Sequence, residues 1–201
     1  RSDSAELAAY LELDHRGQLT TRVLAAMYLD PAKEESQIGR LKAWRERFRS
    51  PHLRAVAVKL RADGVLETGT AALLEPYVGR PGDRGPSDFE PEAFNRLVTA
   101  LDREGFQVHV HAIGDRAVRM ALDGFAAARS ANGSRDSRHM IAHLQLIDPR
   151  DVPRFRELGV IADIQGLWAF PDGYITELTV PKLGAARSRR IYPNGSLARS
   201  G

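Results

Sequence analysis

The 201 residues contain no cysteine. This absence excludes disulfide bridges and thiolate zinc sites, and it favours a reducing or neutral compartment. No apolar run approaches the roughly 20 residues of a membrane span, and no signal peptide is visible. Aromatic residues make up only 7% of the chain, and none accompanies the densest basic run, 187–190. We therefore expect a cytoplasmic protein that binds neither membranes nor nucleic acid.

What remains is the composition of a globular domain. The chain is 43% hydrophobic and 27% charged, with a formal net charge of +3. We expect residues 1–201 to form one domain. Because the chain begins at Arg1 and not at a methionine, we expect it to be an internal portion of a longer protein.

Short apolar runs alternate with amphipathic segments along the chain. The alternation predicts parallel strands joined by helical crossovers. Between the second strand and the second helix, residues 65–90 form a long Gly/Pro-rich loop, and such loops tend to be functional. The predicted strands are 22–30, 53–64, 106–114, 138–147 and 160–170, and the predicted helices are 35–49, 91–105, 116–133, 148–159 and a short one near 180–189.

Two parallel architectures fit this alternation, an open doubly wound sheet and a (β/α) barrel. The sequence has neither the G-x-G-x-x-G of a dinucleotide-binding sheet nor a phosphate-binding P-loop. A barrel is therefore favoured. Five strands cannot close the usual eight-stranded barrel, so we predict an α/β fold that is an arc of a TIM-like barrel with flanking helices.

Two histidines lie one residue apart in the third predicted strand. Alternation places His109 and His111 on one face, and Val108 and Val110 on the other. The valines are expected to lie under the helices, which leaves both imidazoles facing the barrel interior. His111 is nearer the carboxyl end of the strand, where barrel active sites are built, and His109 lies one layer deeper.

The neighbouring strands add two more polar groups at the same rim. His143 occupies a similar position in the fourth strand, and Lys59 ends the second strand on the face of Ala55 and Ala57. Each has a simpler interpretation, since a strand histidine is often a hydrogen-bonded core residue and a lysine often reaches solvent. Three such groups in register favour a shared site.

Four segments resemble the amidohydrolase superfamily in its YtcJ-like branch, and the similarity runs through almost the whole chain from about residue 20. "HAIGDRAV" followed by "AHLQLIDP" at this separation is more specific than either alone. The resemblance implies a distorted (β/α)8 barrel of which this chain holds strands 3 to 7, and metal-dependent hydrolysis of carbon–nitrogen bonds in amides, formamides or cyclic amides. The segments are 56–77, 108–123, 138–165 and 191–197.

The resemblance also implies the metal ligands. Lys59 matches the family's strand 4 lysine, which can be carboxylated, and His111 and His143 match the histidines of strands 5 and 6. The metal would be a divalent ion, with zinc favoured by neutral imidazoles. The family's H-x-H of strand 1 is not found upstream, where His15 stands alone in an apparent solvated turn. The aspartate of strand 8, the general base, is expected beyond residue 201.

Several nearby residues have less certain roles. His109 is interpreted as a core or outer-shell residue and not as part of a strand 1 H-x-H. Asp115 is expected to cap a helix rather than to orient an imidazole. Asp63, Gly64 and Glu67 either line the pocket or are ordinary turn and surface residues. Where relatives often have glutamate and proline, this chain has Ala142 and Gly166, which leaves the substrate geometry open.

Two hypotheses follow. The chain is either the central portion of an amidohydrolase that acts on a small molecule, or a non-catalytic scaffold that binds no metal. With only three of the implied ligands, we expect the isolated chain to bind metal weakly and to be inactive. The unpaired edges of a five-stranded arc also predict a homo-oligomer. The identity of the substrate is set by loops and is not predicted.

Overall fold

A computed structural model describes residues 2–200, and its centre is one sheet of five parallel strands. The strand order follows the chain, β1-β2-β3-β4-β5. A doubly wound sheet would reverse direction at a switch point, whereas a barrel adds each new strand at the same edge. The fold is therefore a partial TIM-like barrel, as predicted. The strands are β1 Val23–Tyr28, β2 Leu53–Arg61, β3 Gln107–Ala112, β4 Met140–His143 and β5 Ile161–Asp163.

Helices cover the outer face of the sheet. Local signals explain several of their ends: Pro91 begins α3, and Gly105 follows its end with a φ of 79°. Within residues 2–200, no helix has both the length and the apolar character to cross a membrane. The α-helices are α1 Ser4–His15, α2 Ile38–Arg47, α3 Pro91–Arg103, α4 Asp115–Asn132, α5 Val152–Leu158, α6 Val180–Ser188 and α7 Asn194–Ser200.

The strand β3 alternates as its sequence predicts. Val108 and Val110 are fully buried in the core under the helices, whereas His109 and His111 lie on the opposite, inner face. In the register of the sheet, Lys59 is next to His109. The periodicity of two therefore places these polar groups on the inner face, away from the helices.

One detail of the second strand differs from the prediction. Ala57 borders the open inner face together with His109, but Ala55 belongs to the buried core. The register between β1 and β2 shifts between Leu24 and Ala26, so β2 carries an extra residue there. Such a bulge reverses the alternation of side chains between the two faces. Of the two alanines, only Ala57 therefore shares a face with Lys59.

The boundaries of three segments also differ from the prediction. Residues 4–15 form α1, which begins with a capping box between Asp3 and Glu6, so His15 ends a helix and does not lie in a free turn. The fifth strand ends at Asp163, and Gly166–Ala169 is a 3-10 turn. Residues 171–200 contain a π-helix at Tyr174–Thr179 in addition to α6 and α7.

Candidate metal centre

Lys59 lies on the inner face of β2, with part of its side chain buried. Burial lowers the pKa of Lys59 to about 8, and the nearby carboxylate of Asp163 opposes this shift. At pH 7 a larger fraction of Lys59 is therefore neutral than of a lysine in water. The amine is therefore closer to the state that can react with carbon dioxide or bind a metal ion.

His111 and His143 come together at the carboxyl end of the sheet. Their ring centroids are 4.6 Å apart in an edge-to-face arrangement. Strand register alone would not produce this contact, because His143 is paired with Ala112, whose side chain faces the helices. His143 and Leu144 both have left-handed φ values, 81° and 52°. This local departure from an extended strand accompanies the contact between the two imidazoles.

Each of these imidazoles has one nitrogen held by an acceptor. Nε2 of His111 is 3.0 Å from the carbonyl oxygen of Gly64, and Nδ1 of His143 is 2.7 Å from Oε1 of Gln165. A carbonyl-type acceptor assigns the ring proton to the nitrogen that faces it. Nδ1 of His111 and Nε2 of His143 then carry the lone pairs. Metal-binding histidines are oriented by this kind of outer hydrogen bond.

Burial keeps both imidazoles neutral. It lowers the pKa of His111 to about 4, although the bond to Gly64 opposes the shift. Burial also lowers the pKa of His143, against the bond to Gln165. The positive charge of Lys59 acts in the same direction on both rings. Neutral imidazoles at pH 7 are the form that binds a metal ion.

His109 lies next to Lys59, one layer below His111. Its Nε2 is 3.4 Å from Oδ2 of Asp163, but this buried nitrogen has no hydrogen bond within the described chain. Burial, together with the charge of Lys59, lowers the pKa of His109 to about 4. The ring therefore lies on the open inner face of the sheet and not in the helix-covered core.

The carboxyl group of Asp63 organises this rim, a role that the sequence interpretation missed. The side chain is fully buried and accepts backbone N–H bonds of 2.9 to 3.0 Å from Ala72, Ile113 and Gly114. Its Oδ1 is also 3.6 Å from Nε2 of His111. Burial raises the pKa of Asp63 to about 7, and the three N–H donors oppose this shift. An acid that directly follows a buried strand was the available signal.

Asp115 is not the helix N-cap that the sequence predicts, and within residues 2–200 it forms no hydrogen bond with an imidazole. The N-cap of α4 is Gly114, which makes no side-chain cap, and Asp115 is the first helical residue. Its Oδ1 accepts the N–H of Leu74 at 2.8 Å. Asp63 and Asp115 therefore both fasten the long loop to the start of α4.

The candidate ligands of this region do not form a complete metal site by themselves. Among residues 2–200, no group of three or more His, Cys, Asp or Glu side chains is arranged to hold a metal ion. The structure does bring His111 and His143 together and places Lys59 near both. Two neutral imidazoles with oriented nitrogens fit a divalent ion, and a third ligand would have to come from Lys59 or from elsewhere.

A cavity of about 550 Å³ lies next to Trp168. The indole of Trp168 lines this cavity and also stacks on the ring of His143, at 5.1 Å between ring centroids. Ile113 and Gln145, just beyond the ends of β3 and β4, form part of its wall. The cavity therefore lies at the carboxyl ends of the strands, where barrel enzymes bind substrates.

Comparison with known proteins agrees with this geometry. The exoenzymes regulatory protein AepA of Pectobacterium carotovorum subsp. carotovorum is 31% identical over 199 residues, which are 98% of this chain and 42% of that protein. YtcJ of Bacillus subtilis (strain 168) is 32% identical over 120 residues, 60% of this chain and 22% of that protein. The chain thus spans less than half the length of either relative.

A solved structure extends the likeness to three dimensions. The crystal structure of an uncharacterized metal-dependent hydrolase from Pyrococcus furiosus superposes with a TM-score of 0.76 at 29% identity, and the match covers 96% of this chain and 38% of that one. The sequence model of the amidohydrolase family matches residues 1–201. Because this match covers the whole chain and the fold is a partial barrel, the chain belongs to the amidohydrolase family.

Proposed function

We propose that this chain supplies part of the active site of a metal-dependent hydrolase that cleaves carbon–nitrogen bonds other than peptide bonds. The substrate would be an amide, a formamide or a cyclic amide. The observation that carries the proposal is the pair of neutral imidazoles, 4.6 Å apart, whose ring protons are held by acceptors. The family membership supports the reaction class.

In this proposal Lys59, His111 and His143 hold a divalent ion, with zinc the best match to imidazole ligands. The bound ion would activate water and polarise the substrate carbonyl. The carbonyl oxygen of Gly64 and the side chain of Gln165 keep the ligating nitrogens of the two histidines free of protons. Lys59 would act as a carbamate, because a carboxylate binds metal better than an amine does.

The rest of the proposal concerns the chain as a whole. The protein is cytoplasmic and forms homo-oligomers. Residues 1–201 alone bind metal weakly and are inactive, since zinc sites normally need three protein ligands. Stoichiometric zinc that survives dialysis of this chain would contradict the weak site.

The ligand assignment is tested by metal analysis of variants of the intact enzyme. We expect His111→Ala and His143→Ala each to lower metal affinity by more than about ten-fold, the scale of losing even an outer-shell partner. The exposed His15 at the end of α1 provides the control, and His15→Ala should leave the metal content unchanged. Full metal content in both site variants would overturn the proposal and favour a scaffold that binds no metal.

The role of Lys59 needs its own readout. Lys59→Ala should lose both metal and activity, and a short carboxylate such as acetate or propionate should restore part of each by replacing the carbamate. Lys59→Ala with unchanged metal content and rate would make Lys59 a structural residue.

A further inference from the structure

The cavity beside Trp168 has aromatic walls. The rings of Trp168, Tyr174 and Tyr192 line it, together with aliphatic side chains such as Ile113 and with polar and acidic ones. Its volume of about 550 Å³ is in the range of small-molecule sites, roughly 300–1,000 Å³. Aromatic faces of this kind attract organic cations as well as apolar groups.

The charged residues that line this cavity are all acidic. Glu67 and Asp172 line it, whereas none of the described residues that line it is a lysine, arginine or histidine. Both hydrogen bonds of Glu67 within residues 2–200 are accepted by Oε1, from Nε2 of Gln145 and Oγ1 of Thr179. These donors are neutral, and in the described part of the chain neither carboxylate forms an ion pair. Within residues 2–200, no ion pair therefore neutralises either carboxylate.

The carboxylates of Glu67 and Asp172 both influence the phenol of Tyr192, which also lines the cavity. Burial raises the pKa of Tyr192, and the charges of Glu67 and Asp172 raise it further. The phenol therefore remains neutral, and the two carboxylates each contribute a negative potential at this ring. A second anion placed here would meet repulsion and lose its hydration, which is costly in a partly enclosed site.

We propose that this cavity binds a cationic group on a flat apolar body, such as an amidinium or an ammonium attached to an aromatic ring. That this group belongs to the substrate rests on the proposed hydrolase function, because the cavity adjoins His143 through Trp168. The preference for a cation rests on the cavity alone. Anionic substrates are excluded from this position.

Three probes of nearly the same shape test the preference: benzamidine, benzamide and benzoate. They carry a positive charge, no charge and a negative charge at pH 7. The chain has two tryptophans, so Trp44→Phe leaves Trp168 as the fluorescent reporter within residues 1–201. We expect benzamidine to quench this fluorescence to saturation, at least about ten-fold more tightly than benzamide. Benzoate should give no saturable change.

The source of the preference is tested at Glu67. Glu67→Gln keeps an acceptor for Gln145 and Thr179 but removes the charge. It should weaken benzamidine about ten-fold and leave benzamide unchanged. The matched control is Glu46→Gln on α2, an exposed acid whose loss changes the net charge equally; it should have no effect. Benzoate binding as tightly as benzamidine, or an unchanged benzamidine affinity in Glu67→Gln, would overturn the proposal.

The titrations are carried out with EDTA and again without it, so that the two proposals can fail separately. Benzamidine binding by residues 1–201 that persists in EDTA would support the cavity preference, whereas an intact enzyme that keeps this binding but holds no metal and shows no hydrolase activity would contradict the proposed function. Metal binding and amide hydrolysis without any quenching by benzamidine would do the reverse.

Discussion

At the scale of single residues, Asp102 and His139 show how a buried polar pair is satisfied. Nδ1 of His139 accepts the N–H of Val108, and its Nε2 is 3.0 Å from Oδ1 of Asp102. The ring is therefore a neutral donor to a carboxylate, and it stacks on Phe125. This is the structural role of a hydrogen-bonded core histidine, here just before β4, in contrast to His111 and His143, each of which has one nitrogen without a hydrogen bond within residues 2–200.

The titration of His139 and Asp102 makes the stability of the fold depend on pH. Burial lowers the pKa of His139, so the unfolded chain takes up a proton below about pH 6.5 that the folded chain resists. Burial raises the pKa of Asp102, but hydrogen bonds from Asn132 and Ser137 and the charge of Arg135 outweigh this, and its pKa lies below the ordinary value. Its contribution to stability is present above about pH 4 and is lost as the pH falls further.

We expect the free energy of unfolding, measured in urea, to fall between pH 7 and 5 and again below pH 4. His139→Gln should be less stable at pH 7 but should show a smaller fall from pH 7 to 5, because one titrating group is gone. An equal slope in the two proteins would mean that His139 is not held neutral in the fold.

At the scale of elements, the junction between β3 and α4 is packed against the long loop without spare room. A Cβ on Gly114 would lie 2.0 Å from the carbonyl oxygen of Ala72, whose own N–H is bound by Asp63. That neighbour is backbone, so it cannot turn away as a side chain could. The glycine is needed for space, since its φ of −85° suits any residue.

We therefore expect Gly114→Ala to destabilise the fold by about 1–3 kcal/mol, the usual cost of overpacking. It should also shift the loop that carries Gly64, and so weaken metal binding by His111. Gly39 in α2 is the matched control, because a Cβ there meets nothing within 4 Å. Gly39→Ala should stabilise the chain by up to about 1 kcal/mol. Equal effects of the two substitutions in urea unfolding would refute the steric account.

At the scale of the whole molecule, the inner face of the arc is open. A cavity of about 660 Å³ on this face is lined by apolar groups that include Leu24 and Ile161, which are 67% and 40% exposed. These residues lie on β1 and β5, the first and last strands of the sheet order. Exposed apolar surface at the edges of a sheet promotes association.

We expect the chain of residues 1–201 to form dimers or larger assemblies at micromolar concentration, as measured by light scattering. Leu24→Lys with Ile161→Lys should shift the distribution toward monomer by placing charge on this face. Val78→Lys, at an apolar residue that is 53% exposed but does not line the cavity, should not. A monomeric unmodified chain would show that the open face does not drive association.

Much of the fold could be predicted because local patterns are enough for it. Alternation in β3 placed Val108 and Val110 under the helices, and Pro91 and Gly105 marked the ends of α3. The amidohydrolase resemblance of the motifs around His111 and His143 was confirmed by the family match. Each of these signals depends on residues close together in the chain, where backbone periodicity and turn chemistry act directly.

The arrangement of the candidate site was decided only by tertiary structure. The sequence left Asp63 as either a pocket-lining or an ordinary turn residue, but three backbone N–H groups, from residues up to 51 positions away, make it a buried anchor. The left-handed backbone at His143 turns that ring toward His111 against the strand alternation. Glu67 and Asp172 come to one cavity from segments about a hundred residues apart. Sequence determines which groups are available, whereas their burial, partners and mutual distances arise only when distant segments pack together.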